Sequence, residues 1–273
     1  MSKTNKKGGT LGEALRSTFT LVAMVVSLII AWCVYKYVMG APINFEGGNP
    51  EGTPLPGNYL AMVYKGGYIV PLLITVLLLV IIFSIERTIT LTRARGKGRI
   101  NVFVKNLQTL LDGDKIEDAI VACDKQKGSL ANVMKAGLLR YRTLQKDAVL
   151  EKDQKILALQ KEFEEATALE LPMLSRNLVI LSTIASISVL IGLLGTVLGM
   201  IRAFGALAQA GAPDALALAT GISEALINTA FGISGSLLAI VLYNTFSTQI
   251  DSFTYKIDEA GFSLVQSFAA STK

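Results

Sequence analysis

The side chains in this sequence best suited to chemistry lie in two apolar stretches and number few: Thr196 in the first, and Glu224, Asn228 and Thr229 in the second. The first stretch reads IASISVLIGLLGTVLGMIRAFGALAQ from Ile184, and the second GISEALINTAFGISGSLLAIVLYN from Gly221. On a helix turning ~100° per residue, Ala185, Ser188, Gly192, Gly195, Thr196, Gly199, Ala203 and Ala206 share one narrow face. On the second helix Gly221, Glu224, Ala225, Asn228, Thr229, Gly232, Gly235, Ser236 and Ala239 share a face. Leu226, Ile227, Ala230, Leu237 and Val241 take the other side. Small residues let helix backbones approach closely, and an ionisable group within a membrane marks a functional path. Hydroxyls, an amide and one carboxylate on such faces suit the lining of an ion-conducting assembly.

Each residue has a plainer reading beside the functional one. Gly192, Gly195, Gly199, Gly232 and Gly235 read first as helix-packing positions, with Gly195-x-x-x-Gly199 a common close-packing spacing. A threonine hydroxyl can be spent on its own helix backbone, so Thr196 and Thr229 divide evenly between lining and packing. Glu224 lies about two turns inside its apolar segment, where a carboxylate is costly unless paired, hydrated or protonated. Arg202 can pair with it or extend its head to the interface. One carboxylate near one end of a helix does not make a proton relay across a bilayer, so a partner is implied.

Other chemistries are missing. The chain has no histidine, which excludes a Ser-His-Asp triad, a Cys-His pair and a histidine metal site. It has no G-x-x-x-x-G-K-[ST] loop and no dinucleotide fingerprint after a strand. The expectation is a non-enzyme with no cofactor and no metal, driven by a gradient or a partner.

Composition sets the class. With 51% hydrophobic residues, 17% charged residues and mean hydropathy +0.49 over 273 residues, the apolar area falls into segments near the ~20 residues that span a bilayer. The expected fold is an all-α integral membrane protein with four transmembrane helices, at 19–39, 67–90, 177–208 and 215–247, and a helical cytoplasmic extension at 91–176. Residues 40–66 form a periplasmic loop and 209–214 a periplasmic turn. Residues 1–18 and 248–273 are cytoplasmic tails. Basic residues set this orientation: seventeen Lys or Arg lie between Arg87 and Arg176, against Lys65 alone in the 40–66 loop and none in AQAGAPD. The run RTITLTRARGKGR marks a cytoplasmic boundary facing membrane lipid, not a nucleic-acid site. Phe19–Val38 reads as a retained anchor, not a cleaved signal, and Cys33 and Cys123 do not meet.

Within the cytoplasmic part, INVFVKNLQTLL, KIEDAIVACDKQ and LANVMKAGLLRYRTLQ show helical spacing, with Asp114 and Ser129 as N-caps. A charged helix runs from Asp147 to the third span, with a bend at Pro172.

IGLLGTVLGMIRAF (Ile191–Phe204) and GISEALINTAFGISGSLLAIVLYN (Gly221–Asn244) resemble the membrane signatures of the MotA/TolQ/ExbB proton-channel family, ExbB and TolQ most closely. The resemblance implies a stator subunit of a proton-driven motor in a bacterial inner membrane. Five such subunits surround the single membrane helices of an ExbD-like pair, whose membrane aspartate carries the proton, and a TonB-like protein receives the motion to power outer-membrane transport. It maps the family's pore threonines onto Thr196 and Thr229 and its membrane glutamate onto Glu224. Val189 and Leu238 stand where some relatives have proline, and Phe19–Val38 is an addition to the three-helix pattern of ExbB and TolQ. A MotA-like stator with four spans is a second reading. A self-contained proton-coupled carrier is a third, disfavoured because the chain shows neither repeated halves nor broken helices.

Overall fold

The computed structural model describes residues 7–50, 52–147, 149–209 and 215–271. The described residues form helices α1 (Lys7–Cys33), α2 (Tyr59–Tyr64), α3 (Ile69–Arg95), α4 (Ile100–Asp112), α5 (Ile116–Gln126), α6 (Ser129–Gln145), α7 (Lys152–Ser175), α8 (Leu178–Gln209) and α9 (Ala215–Ser271). Among them the only extended pairing is an isolated bridge between Phe45 and Pro54. Four apolar helices, within Thr18–Met39, Ile69–Asp112, Lys152–Gly205 and Leu218–Ser271, are long enough to cross a membrane. The protein is an all-α, multi-pass membrane protein. Of the expected 209–214 turn, residues 210–214 lie outside the described residues, as do residues 1–6 of the N-terminal tail and the last two residues of the C-terminal one.

The chain divides into two compact units. The first comprises residues 1–84 and 180–243. In α1 the buried positions recur every fourth residue, at Ala23, Ser27 and Ala31, and the spacing continues to Tyr35 just beyond its end, while Leu21, Val25, Leu28, Ile29 and Trp32 are exposed. Small residues at that spacing let a helix seat closely on a neighbour, and apolar side chains cover the outside as a membrane solvent requires. Phe19 meets Phe83 edge-on at 6.4 Å and Tyr35 stacks on Tyr64 at 4.6 Å. Beyond Cys33 the helix widens into a π-helical turn, Val34–Met39.

The Gly- and Pro-rich loop that follows is held by two asparagines. Asn44 Nδ2 donates to the carbonyls of Val38 (2.8 Å) and Met39 (3.0 Å), and Asn58 Nδ2 donates to Asn44 Oδ1 at 2.9 Å. Asn58 Oδ1 accepts from the Leu60 and Ala61 amides and so caps α2. Asn44 thereby meets carbonyls at the end of a helix, which lack intrahelical donors.

The second unit comprises residues 85–179 and 244–273. Its core gathers Phe103, Leu107 and Leu111 of α4, Ile116 and Ile120 of α5, Met134, Leu138 and Tyr141 of α6 and Leu159 of α7. Residues 248–273, expected as a tail, continue α9 to Ser271. Phe253, Ile257, Leu264 and Phe268 bury on that helix, with Phe268 4.6 Å from Tyr141 and Ser271 Oγ 2.8 Å from Tyr141 Oη. Gly261 admits Phe163, whose ring occupies the space a Cβ would need.

The expected caps are corrected. Asp114 has φ +53° and α5 starts at Ile116 without a side-chain cap. Ser129 is already the first residue of α6, after Gly128 at φ +87°. The backbones of Gly96 and Gly128 lie so close that a Cβ on either would overlap the other turn, so backbone proximity, not a hydroxyl, sets this start. Helix α7 begins at Lys152, not Asp147, with Glu151 and Gln154 closing a capping box. Asp147 instead accepts the Val149 and Leu150 amides at 2.8 and 3.3 Å, and these bonds hold its carboxyl below the usual carboxylate range.

Pro172 lies inside α7 and the chain turns at residues 176–177 before α8. Arg87, only 2% exposed, donates to the Leu174 carbonyl at 2.9 Å and grips Glu86 through Nε and Nη2 at 2.7 and 2.6 Å. Asn177 Nδ2 donates to the same carboxylate at 3.0 Å. The guanidinium thus supplies donors where a helix C-terminus leaves carbonyls open.

Candidate functional site

Helices α8 and α9 pair along the small-residue faces within one chain. A Cβ on Gly192 would lie 3.0 Å from the Asn228 carbonyl and the Gly232 Cα. One on Gly232 would lie 2.8 Å from the Gly192 Cα and the Ser188 carbonyl. Further along, Gly199 faces Ala225 and the Gly221 carbonyl, and Gly221 faces Ala203. Ser188 Oγ donates across the seam to the Gly232 carbonyl at 2.8 Å. The helices therefore touch backbone to backbone, and Gly195 makes room for the Asn228 side chain.

The two threonines stand at the seam's margin. Both are half-buried. Thr196 Oγ1 donates to the Leu193 carbonyl of its own helix at 2.6 Å, and Thr229 Oγ1 reaches the Gly192 carbonyl of α8 at 3.5 Å. Hydroxyls bound this way keep acceptor lone pairs free for water or a neighbouring group. Beside Thr196 a shallow groove is lined by Val197, Met200, Ile201 and Phe204. On the far side of α9, Ser234 returns its hydroxyl to the Ala230 carbonyl at 2.7 Å.

Asn228 is enclosed completely. Its Nδ2 donates to the Gly66 carbonyl at 2.9 Å, so its amide lies in a junction between α9 and the turn before α3, not on an accessible lining face. Glu224, one turn earlier, is 8% exposed and forms an ion pair with Arg202 of α8. The Glu224 carboxylate also occupies the space a Cβ on Gly67 would fill. The pair gives the enclosed carboxylate a charged hydrogen-bond donor.

The sequence reading missed Gly66 and Gly67, which form the other half of that junction. Their signal was K-G-G-Y immediately before an apolar run, a turn placed where a helix begins. It also missed the seat of α1, whose signal was Ala23-x-x-x-Ser27-x-x-x-Ala31. Among the described residues no cluster of His, Cys, Asp or Glu is arranged to hold a metal ion.

A multi-pass helical membrane protein with a glycine seam bordered by threonines defines the class. Residues 125–259, which contain α6 to α8 and most of α9, match the MotA/TolQ/ExbB proton channel family. Over those residues the chain is similar to that family. The biopolymer transport protein ExbB of Salmonella typhimurium is 42% identical over 73 residues, which are 27% of this chain and 30% of the relative. ExbB of Helicobacter pylori is 35% identical over 96 residues, 35% of this chain and 66% of the relative. The Tol-Pal system protein TolQ of Haemophilus influenzae is 28% identical over 199 residues, 71% of this chain and 86% of the relative. The chain spans less than half the length of the Salmonella and Synechocystis ExbB-type relatives, 30% and 40% respectively.

Proposed function

We propose that this protein is an ExbB-like stator subunit of a proton-driven motor in a bacterial inner membrane, with both termini cytoplasmic. In this reading it forms a homo-pentamer around the single membrane helices of an ExbD-like partner. Proton flow through the assembly moves a TonB-like protein that powers outer-membrane transport. Thr196 and Thr229 line the path, Glu224 tunes hydration and potential near one end, and Asn228 anchors the lining helix. The observation that carries this reading is the glycine seam of α8 and α9, inside the family-matched segment, with both threonine hydroxyls at its accessible margin. The chain supplies no second membrane carboxylate on that seam, so the titrating acid belongs to the partner helix.

A TolQ-like role is the second reading, supported by the length of the Haemophilus influenzae match. Proton flux into vesicles holding the chain alone, and then the chain with an ExbD-like partner, tests the stator reading. Flux is expected only with the partner and should vanish when the partner's membrane carboxylate is replaced by its amide. Robust, saturable flux from the chain alone, lost in Glu224→Gln, would bring the carrier reading forward instead.

A further inference from the structure

We infer that Arg202 is a positioning residue: it seats Glu224 against the Gly66–Gly67 turn, so that the pair clasps α9 to the start of α3. The inference rests on the stator reading for what the clasp serves, since it fixes the helix that bears Thr229. Successive turns of α9 grip successive residues of one turn. Asn228 holds the Gly66 carbonyl at 2.9 Å. Glu224 lies over Gly67, whose φ of +74° and lack of a side chain leave room for the carboxylate; a Cβ there would also stand 3.0 Å from Arg202 Nη1. Gly221, one turn further, touches Ala203 beside Arg202, which brings the guanidinium from α8 within reach of the α9 carboxylate. All of these residues lie in the first unit.

The two charges are not equally enclosed. The Glu224 side chain is 11% exposed and that of Arg202 is 49% exposed. Removing the cation therefore strands a carboxylate inside protein, the costly way to break such a pair. Removing the carboxylate leaves an arginine whose long stem can carry its head to water. Removing both charges strands neither. The clasp thus predicts an order of damage that a proton-carrying glutamate does not share.

The test compares wild type, Arg202→Gln, Glu224→Gln and the double variant, using the full chain assembled with its ExbD-like partner. Two quantities are measured: the unfolding temperature of the purified assembly, and partner-dependent proton flux per incorporated protein. Arg202→Gln should be the worst, with flux down about tenfold and the lowest unfolding temperature, as stranding an enclosed charge implies. Glu224→Gln should lose only about threefold, because its orphaned arginine can be solvated. The double variant should recover at least to the level of Glu224→Gln, and Arg202→Lys should lie between wild type and Arg202→Gln.

A null Glu224→Gln that the double variant does not improve, with Arg202→Gln mild, would overturn the clasp and make Glu224 a proton carrier. Additive shifts in unfolding temperature would overturn it too. If Arg202→Gln does not accumulate, recovery of the assembly on adding Glu224→Gln is the same rescue, and its failure counts against the proposal. Should the wild-type assembly conduct no protons, the stator reading fails, and the unfolding temperatures alone decide the clasp.

Discussion

At the scale of the residue, the threonines and the asparagine separate by where their polar atoms go. Thr196 and Thr229 bond carbonyls at a half-exposed margin, whereas Asn228 spends its amide on Gly66 inside a junction. Replacing either threonine by valine keeps the shape and removes a group that can hold water. We expect partner-dependent flux to fall roughly fivefold for each, the rate equivalent of about 1 kcal/mol for one lost hydrogen bond, with the oligomer unchanged by size-exclusion chromatography. Ser234→Ala, on the exposed side of α9, should leave flux within twofold. Equal loss at all three positions would assign the threonines to packing. The polar faces were legible in the sequence because helical period alone groups such residues. The role of Asn228 was not, because its partner is 162 positions away in the chain and no local pattern encodes that contact.

At the scale of the element, the glycines pack helices of the same chain against each other. The sequence shows two small-residue faces but not which surface each one meets. The structure gives α8 against α9. Gly232→Ala places a methyl 2.8 Å from the Gly192 Cα and the Ser188 carbonyl, and the helices must part to accept it. The expected cost is about 1–3 kcal/mol of stability, as for overpacking in a well-filled core. Gly205→Ala meets nothing within 4 Å and should be neutral or stabilising by up to about 1 kcal/mol through helix propensity. Chemical unfolding of the purified protein in detergent checks both, and equal effects would place the seam elsewhere. The same limit on local reading explains the missed end of α9. Asp251, Lys256, Asp258 and Glu259 make that stretch look like a solvated tail, yet Phe253, Ile257, Leu264 and Phe268 recur at helical spacing and complete a core begun by Tyr141.

At the scale of the whole molecule, the apolar spans could be read from composition because a bilayer demands about 20 apolar residues in a row wherever the chain crosses it. Their direction rests on charge. Seventeen basic residues between Arg87 and Arg176 face a single lysine, Lys65, in the loop from 40 to 66, and positively charged segments flanking the membrane stay on the cytoplasmic side. Thiol labelling tests this with little background. Cys123 is buried, and burial pushes its thiol up to about 12, so it stays protonated and unreactive near neutral pH. Cys33 is exposed and is first replaced by serine. In that background, Asn49→Cys and Asp153→Cys introduce thiols at exposed positions of the loop and of α7. An impermeant maleimide added to cells with a permeabilised outer membrane should label the residue-49 cysteine fully. The residue-153 cysteine should react only after the inner membrane is disrupted. Labelling in the opposite order would reverse the topology.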